Sequence, residues 1–174
     1  FILKLDYNGI FQWVNSINGS LSDWMTSICV DNNGNVLVGG SYSIGVDFDP
    51  GPGIATLTPS AGNFGVFLLK LDSNGNFIWV KNSADPLNVI GSNGASYLDV
   101  DNQNNIFVSS KFRDTMDFDP GAGTFILGAA PGVWDIYIQK LDPNGNFIWA
   151  KSSQGTNNQT VSQIKVDRSG NPII

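Results

Sequence analysis

The chain has 174 residues, 15 acidic and 9 basic for a net charge of −6, with 41% hydrophobic residues, 20 Gly, one Cys and no His. All 15 acids are Asp and Asn occurs 20 times; Asn, Asp and Gly are turn residues and the missing Glu is a helix former, so a mostly helical protein is excluded. Without His there is no imidazole base, Ser-His-Asp triad or ordinary zinc site, and one Cys excludes an intrachain disulfide and Cys-cluster metal sites.

In chain order, the apolar runs and turn signals predict strands at Phe1 to Asp6 and Ile10 to Ser16, then at Ser27 to Asp31 and Asn35 to Tyr42, followed by an Asp-Phe-Asp-Pro-Gly loop. The pattern restarts at Val66 to Asp72, Asn76 to Asn82, Tyr97 to Asp101 and Ile106 to Phe112, and again at Ile136 to Asp142, Asn146 to Lys151, Ser162 to Asp167 and from Asn171 onward. Ala55 to Thr58 and Thr124 to Leu127 are read either as an added strand or as loop. Between the strands, Asp-x-Asn/Ser-Gly recurs at Asp6 to Gly9, Asp31 to Gly34, Asp72 to Gly75, Asp142 to Gly145 and Asp167 to Gly170. This is a hairpin loop in which Asp bonds the turn backbone and Gly takes a positive φ. At Asp101 to Asn104 the Gly is replaced by Asn, the side chain that best tolerates the left-handed region.

These elements are copies of one unit. Lys-Leu-Asp occurs at Lys4, Lys70 and Lys140, at offsets of 66 and 70 residues, and 11 of 14 residues are identical between Lys70–Ser83 and Lys140–Ser153. Asp47-Phe48-Asp49-Pro50-Gly51 recurs as Asp117-Phe118-Asp119-Pro120-Gly121. About four extra residues between Asn82 and Ser96 account for the uneven offsets. A unit of about 68 residues with four antiparallel strands is the size of a propeller blade. The expected fold is therefore all-β: a β-propeller-type array of four-stranded blades, about two and a half of them. Residues 1–174 form part of one domain, in copies of approximately 1–66, 67–136 and 137–174. The Lys-Leu-Asp strand is apolar on both faces, which places it between two layers, whereas the third strand of each copy, with Cys29, Asp99 and Lys165 at equivalent places, is expected to have one wet face. Cys29, aligned with Asp and Lys, reads as incidental. The chain opens inside one strand and stops inside another, so a fragment, or one part of a larger assembly, is expected.

Val30-Asp31-Asn32-Asn33-Gly34-Asn35-Val36-Leu37-Val38, combined with Lys-Leu-Asp-x-Asn-Gly-Asn-x-x-Trp, resembles the bacterial SBBP β-propeller repeat, and the Asp-Phe-Asp-Pro-Gly loop is similar to its version in secreted proteins of Bacteroidetes. The resemblance implies a propeller of seven or so blades in an exported or surface-anchored protein, often exported by type IX secretion. It carries no catalytic residues. Gly75-x-x-x-Trp79 and Gly145-x-x-x-Trp149 are also similar to the tryptophan motif of quinoprotein propellers. Asn74 and Asn144 stand where that motif has Thr, and its vicinal Cys pair and Glu are missing.

The site residues follow. Asp47 and Asp49, with Asp117 and Asp119, alternate along extended segments and are candidate oxygen ligands for calcium; the competing expectation is that they cap the turn backbone while Phe48 and Phe118 anchor the loop. As a pair for glycoside hydrolysis they are disfavoured, as are Asp99 and Asp101, because a catalytic pair need occur only once. Trp24 has no counterpart in the other copies and is the candidate ligand contact, by stacking on a sugar. Trp13, Trp79 and Trp149, with Gly34, Gly75 and Gly145, are structural repeat residues that dock neighbouring blades. Sequons stand at Asn18-Gly19-Ser20 and Asn158-Gln159-Thr160. Without a basic run or an 18-residue apolar segment, neither nucleic acid nor helical membrane insertion is expected. The functional expectation is a non-enzymatic extracellular or cell-surface recognition, adhesion or scaffolding module, whose partners are other blades or subunits and a surface protein or glycan. The alternatives are a structural subunit completed by other chains, or the propeller of a secreted quinoprotein or glycan-active enzyme.

Overall fold

The computed structural model describes residues 1–17, 19, 23–59, 64–86 and 97–174. Every regular element among them is a strand. β1 (Ile2–Leu5) and β2 (Phe11–Asn15) form a two-stranded sheet; β3 (Trp24–Val30), β4 (Val36–Ser43), β5 (Phe64–Leu71) and β6 (Phe77–Pro86) form an antiparallel meander. β7 (Tyr97–Val100), β8 (Ile106–Phe112), β11 (Asp135–Leu141) and β12 (Phe147–Ser152) repeat that meander, and β13 (Lys165–Val166) pairs with β14 (Pro172–Ile173). The chain is thus an all-β array of four-stranded antiparallel blades, two complete and flanked by a two-stranded half-sheet on either side.

Each complete sheet takes its inner hairpin from one Lys-Leu-Asp copy and its outer hairpin from the next: the loop after β4 returns to β5 of the same sheet. The sheets therefore run half a period out of phase with copies that begin at Lys-Leu-Asp. First strands lie beside first strands, β3 against β7 and β7 against β13.

The turns are built as their chemistry requires. Asp31 Oδ1 accepts the backbone N–H groups of Asn33 and Asn35, both at 2.9 Å, while Oδ2 accepts the Asn35 side chain. The same bonds recur at Asp72, Asp101, Asp142 and Asp167. The turn glycines hold φ between 74° and 85°, and Asn104 holds 63° in the Gly position.

Apolar seams close the blades on one another. β4 is buried along its whole length, and Leu68, Leu69 and Leu71 of β5 are fully buried, as a strand apolar on both faces must be. One core joins Ile2 to Val36, Val38, Leu69 and Leu71; the next joins Leu37 and Leu68 to Leu98, Ile106 and Val108. The Asp-Phe-Asp-Pro-Gly loops are anchored there by repeated aromatic trios. Phe48 lies 5.4 Å from Tyr42 and 4.9 Å from Phe67, and Phe118 lies 5.3 Å from Phe112 and 4.7 Å from Tyr137.

Several expectations change. In the segments read as strand or loop, Thr56 makes a single bridge to Asp47, whereas Ile126–Gly128 forms β10, which pairs with β9 (Thr115–Asp117). β9 in turn pairs with the end of β6, so the loop of one blade covers the outer edge of the preceding blade. The strand expected from Ser162 to Asp167 shortens to Lys165–Val166. In β3 the wet face is the apolar one: Ile28 and Val30 are more than half exposed, whereas Cys29 packs against the second core. The reason is positional: among the described residues β7 has the inner hairpin β3–β4 of the preceding blade beside it, whereas β3 is preceded only by the outer pair β1–β2. The extra residues between Asn82 and Ser96 lie largely outside the described residues.

Candidate functional site

Most of the polar residues singled out by repetition join strands and blades. Lys70 of β5 makes a 2.9 Å ion pair with Asp31, both almost fully buried, and donates to the Pro143 carbonyl of the next blade's turn at 3.1 Å. Lys140 repeats the pair with Asp101 at 3.2 Å. Burial works against the charge on Asp31, but hydrogen bonds from Asn35, Lys70 and the turn backbone outweigh it, so its carboxyl lies below its ordinary value. Asp101 is lowered by the same balance.

The tryptophans work beside these pairs. Trp13 donates its indole N–H to the Ser73 carbonyl at 3.2 Å and its ring lies against Gly75. Trp79 lies in the same way against Gly145, with Lys81 Nζ 5.9 Å from its ring and donating to the Gly145 carbonyl. A Cβ at either glycine would stand about 3.0 Å from the indole, so the turn needs Gly for its approach as well as for its φ. Trp149 meets Phe107 edge-on at 6.1 Å within its own sheet. Gly34 turns the corner after Asp31 at φ 81°.

The Asp-Phe-Asp loops spend their carboxylates on the backbone. Asp47 Oδ1 accepts the N–H groups of Asp49 and Ala55, and Asp49 Oδ1 accepts that of Gly51. Asp117 and Asp119 bond Asp119, Phe125 and Gly121 in the same way. Among the described residues no group of three or more His, Cys or Asp side chains is placed to hold a metal ion. Cys29 packs against the second core, and burial first, then the neighbouring Asp99 carboxylate, pushes its thiol up to about 12. Asp99 itself accepts the Val166 backbone N–H of the next half-sheet at 2.8 Å.

Non-repeating side chains gather at the strand ends opposite the Asp-x-x-Gly turns. Trp24 opens β3 at this end, half exposed and paired in register with Ser41. In the next blade, Lys111 Nζ lies 4.9 Å and the Arg113 guanidinium 5.3 Å from the ring centroid of Trp134. Their counterparts one repeat earlier are Ser41, Ser43 and Phe64, so two cations on one indole occur in this blade and not in its sibling. The Trp134 backbone N–H donates to Asn158 at 2.9 Å, which ties the second sequon to this cluster; Asn18 and Ser20 of the first lie outside the described residues. Sequence reasoning missed Trp134, because its cations stand more than 20 residues upstream and only strand pairing brings them together. The signal that could have found it was the departure of positions 111, 113 and 134 from the repeat.

No family model matches the chain. The chain is 23% identical over 204 aligned residues, which take in its whole length, to an uncharacterized WD repeat-containing protein, L264, of Acanthamoeba polyphaga mimivirus, and it spans 14% of that relative's length. WD repeats form four-stranded propeller blades. That similarity and the observed sheets agree on a propeller-like repeat fold.

Proposed function

We propose that the chain is a non-enzymatic recognition module, the propeller segment of a larger secreted or cell-surface protein, that binds a protein partner through the strand ends opposite the Asp-x-x-Gly turns. One observation carries this reading: the repeated Lys, Trp and Asp groups hold turns, loops and blades together, while the Lys111–Arg113–Trp134 cluster departs from the repeat. Two cations backed by an indole, in a chain of net charge −6, suit an acidic segment of the partner. The name of the WD repeat-containing relative supports a propeller role of this kind, and the SBBP-like motifs support export to the surface. A type IX route, and a calcium ion at the Asp47–Asp49 and Asp117–Asp119 loops, belong to the same reading as secondary features. A glycan partner is the second reading, favoured by half-exposed Trp24.

The test is binding of the purified chain to immobilised acidic peptides and to a glycan array, alongside Trp134→Ala, Lys111→Glu and Trp24→Ala. Saturable binding to the peptides, weakened about tenfold or more by the first two variants and not by the third, is expected. Glycan binding lost only with Trp24→Ala would favour the second reading. Binding unaffected by all three variants would refute both.

A further inference from the structure

One pocket is lined by side chains that depart from the repeat. It measures about 310 Å³ and lies where β2 and the Asp47–Asp49 loop meet the Asp72 turn, with Asn15, Asp49, Pro52, Asn74, Asn76 and Phe77 on its walls. The equivalent place one repeat on is filled. There Lys81 lays its stem against Gly145 and donates from Nζ to the Gly145 carbonyl and to Asn146 Oδ1, while Phe125 covers Phe147 with ring centroids 4.8 Å apart. Asn15 stands in the place of Lys81, Ala55 in that of Phe125 and Pro52 in that of Ala122. The shorter Asn15 still donates to the Gly75 carbonyl, at 2.7 Å, but leaves the space of the lysine stem open. Phe77, without a second ring over it, reaches the pocket.

The open polar groups there are mostly acceptors. The side-chain nitrogens of Asn15 and Asn76 are committed to the Gly75 carbonyl and to Asp72, and Asp49 Oδ1 to the Gly51 N–H. This leaves Oδ1 of both amides and Oδ2 of Asp49 without a hydrogen-bond partner among the described residues. The Asn74 side chain, bonded to nothing among them, offers a donor as well as an acceptor. No Lys or Arg lines the pocket. Such a set calls for a ligand rich in O–H donors and without negative charge, and Pro52 and Phe77 give it an apolar surface to lie on. Both requirements meet in a pyranose ring, with hydroxyls around its rim and C–H groups on its faces. A cation would use the oxygens but not Phe77 and Pro52.

We infer that this pocket binds one neutral pyranose unit of a glycan, with Asp49, Asn15, Asn74 and Asn76 taking its hydroxyls and Phe77 with Pro52 supporting its ring. The volume is at the small end of ligand pockets, so the site reads a single sugar unit and binds it in the millimolar range. It shares no residue with the Lys111–Arg113–Trp134 cluster or with Trp24, so the inference goes beyond the partner proposed above and stands or falls separately from it.

The test is titration of the isotope-labelled chain with the methyl glycosides of glucose, galactose, mannose and N-acetylglucosamine, followed by nuclear magnetic resonance through the side-chain amides, for wild type, Asn15→Lys and Asn74→Ala. Saturable shifts of the Asn15, Asn74 and Asn76 amides with at least one glycoside are expected. Asn15→Lys restores the lysine of the sibling blade and should abolish the shifts at the other two amides. Asn74→Ala removes a side chain that holds nothing within the fold and should weaken binding by about fivefold or more. The inference is overturned if none of the glycosides moves these amides at concentrations on the order of 50 mM, or if binding survives both substitutions at wild-type strength. Calcium chloride shifting the same amides where the glycosides do not would overturn it as well, in favour of a cation site.

Discussion

Asn104 Oδ1 accepts two hydrogen bonds from Asn32, one from its backbone N–H at 2.9 Å and one from its side chain at 2.7 Å, across the seam between the two complete blades. Asn104 stands where its siblings have Gly, with φ 63°. Its side chain does what Gly cannot, fastening the turn to the blade before it. Asn104→Gly relaxes the backbone but removes both bonds, so a net loss of about 1 kcal/mol is expected in urea unfolding, where backbone conformation alone predicts a gain. Asn104→Asp keeps the acceptor and should stay closer to wild type.

Lys70→Met leaves Asp31 buried without its cation. Removing one partner of a buried pair costs about 3–5 kcal/mol. Lys4→Met, at the counterpart position where Lys4 donates to the Ser73 carbonyl and has no carboxylate partner among the described residues, should cost less than about 1 kcal/mol. Urea midpoints of the two variants at equal slope decide it; equal losses would show that Asp31 contributes nothing to the difference.

Acid should loosen the array through its turns. Asp31, Asp101 and Asp142 resist burial, and Asp72 and Asp167 stand mainly on the Asn side chain four residues on; the turn hydrogen bonds hold all five carboxyls below the ordinary 3.8. A folded value below the unfolded one means that the stabilisation is complete above about pH 3.8 and is lost as the pH falls through the lower folded values. Thermal midpoints should be flat from neutral pH down to that value and fall below it. Asp31→Asn should flatten the acid limb, and an unchanged limb would contradict the assignment.

Gly75 and Gly9 share a positive φ but not their surroundings: Gly75 lies against Trp13, and nothing lies within 4 Å of where a Cβ on Gly9 would be. Gly9→Ala should cost about 1–2 kcal/mol of backbone strain alone. Gly75→Ala adds overpacking of about 1–3 kcal/mol at the blade seam. Similar losses at both positions would mean that Trp13 does not dock there in solution.

The hairpins were legible because their signals are local. An Asp that bonds the backbone two and four residues on, followed by a residue at positive φ, can be written from sequence alone, and Asn104 was foreseen in this way. The aromatic anchor was half legible: Phe48 and Phe118 marked it, but Tyr42 and Phe67 became its partners only through strand pairing. Which hairpin pairs with which was not readable, since a repeat looks the same from any starting phase. Which face of β3 is wet was not readable for a related reason, because exposure of Ile28 depends on what lies beside β3 and not on its own alternation. Lys111, Arg113 and Trp134 each depart from the repeat, but that they meet follows only from the pairing of β8 with β11.

The central claim is that consecutive sheets stack as blades through repeated contacts, and the most direct measurement is nuclear Overhauser spectroscopy of the tryptophan indoles. Stacked blades predict cross-peaks from Trp13 to the α-protons of Gly75 and from Trp79 to those of Gly145. Indoles whose cross-peaks stay within their own hairpins would contradict it.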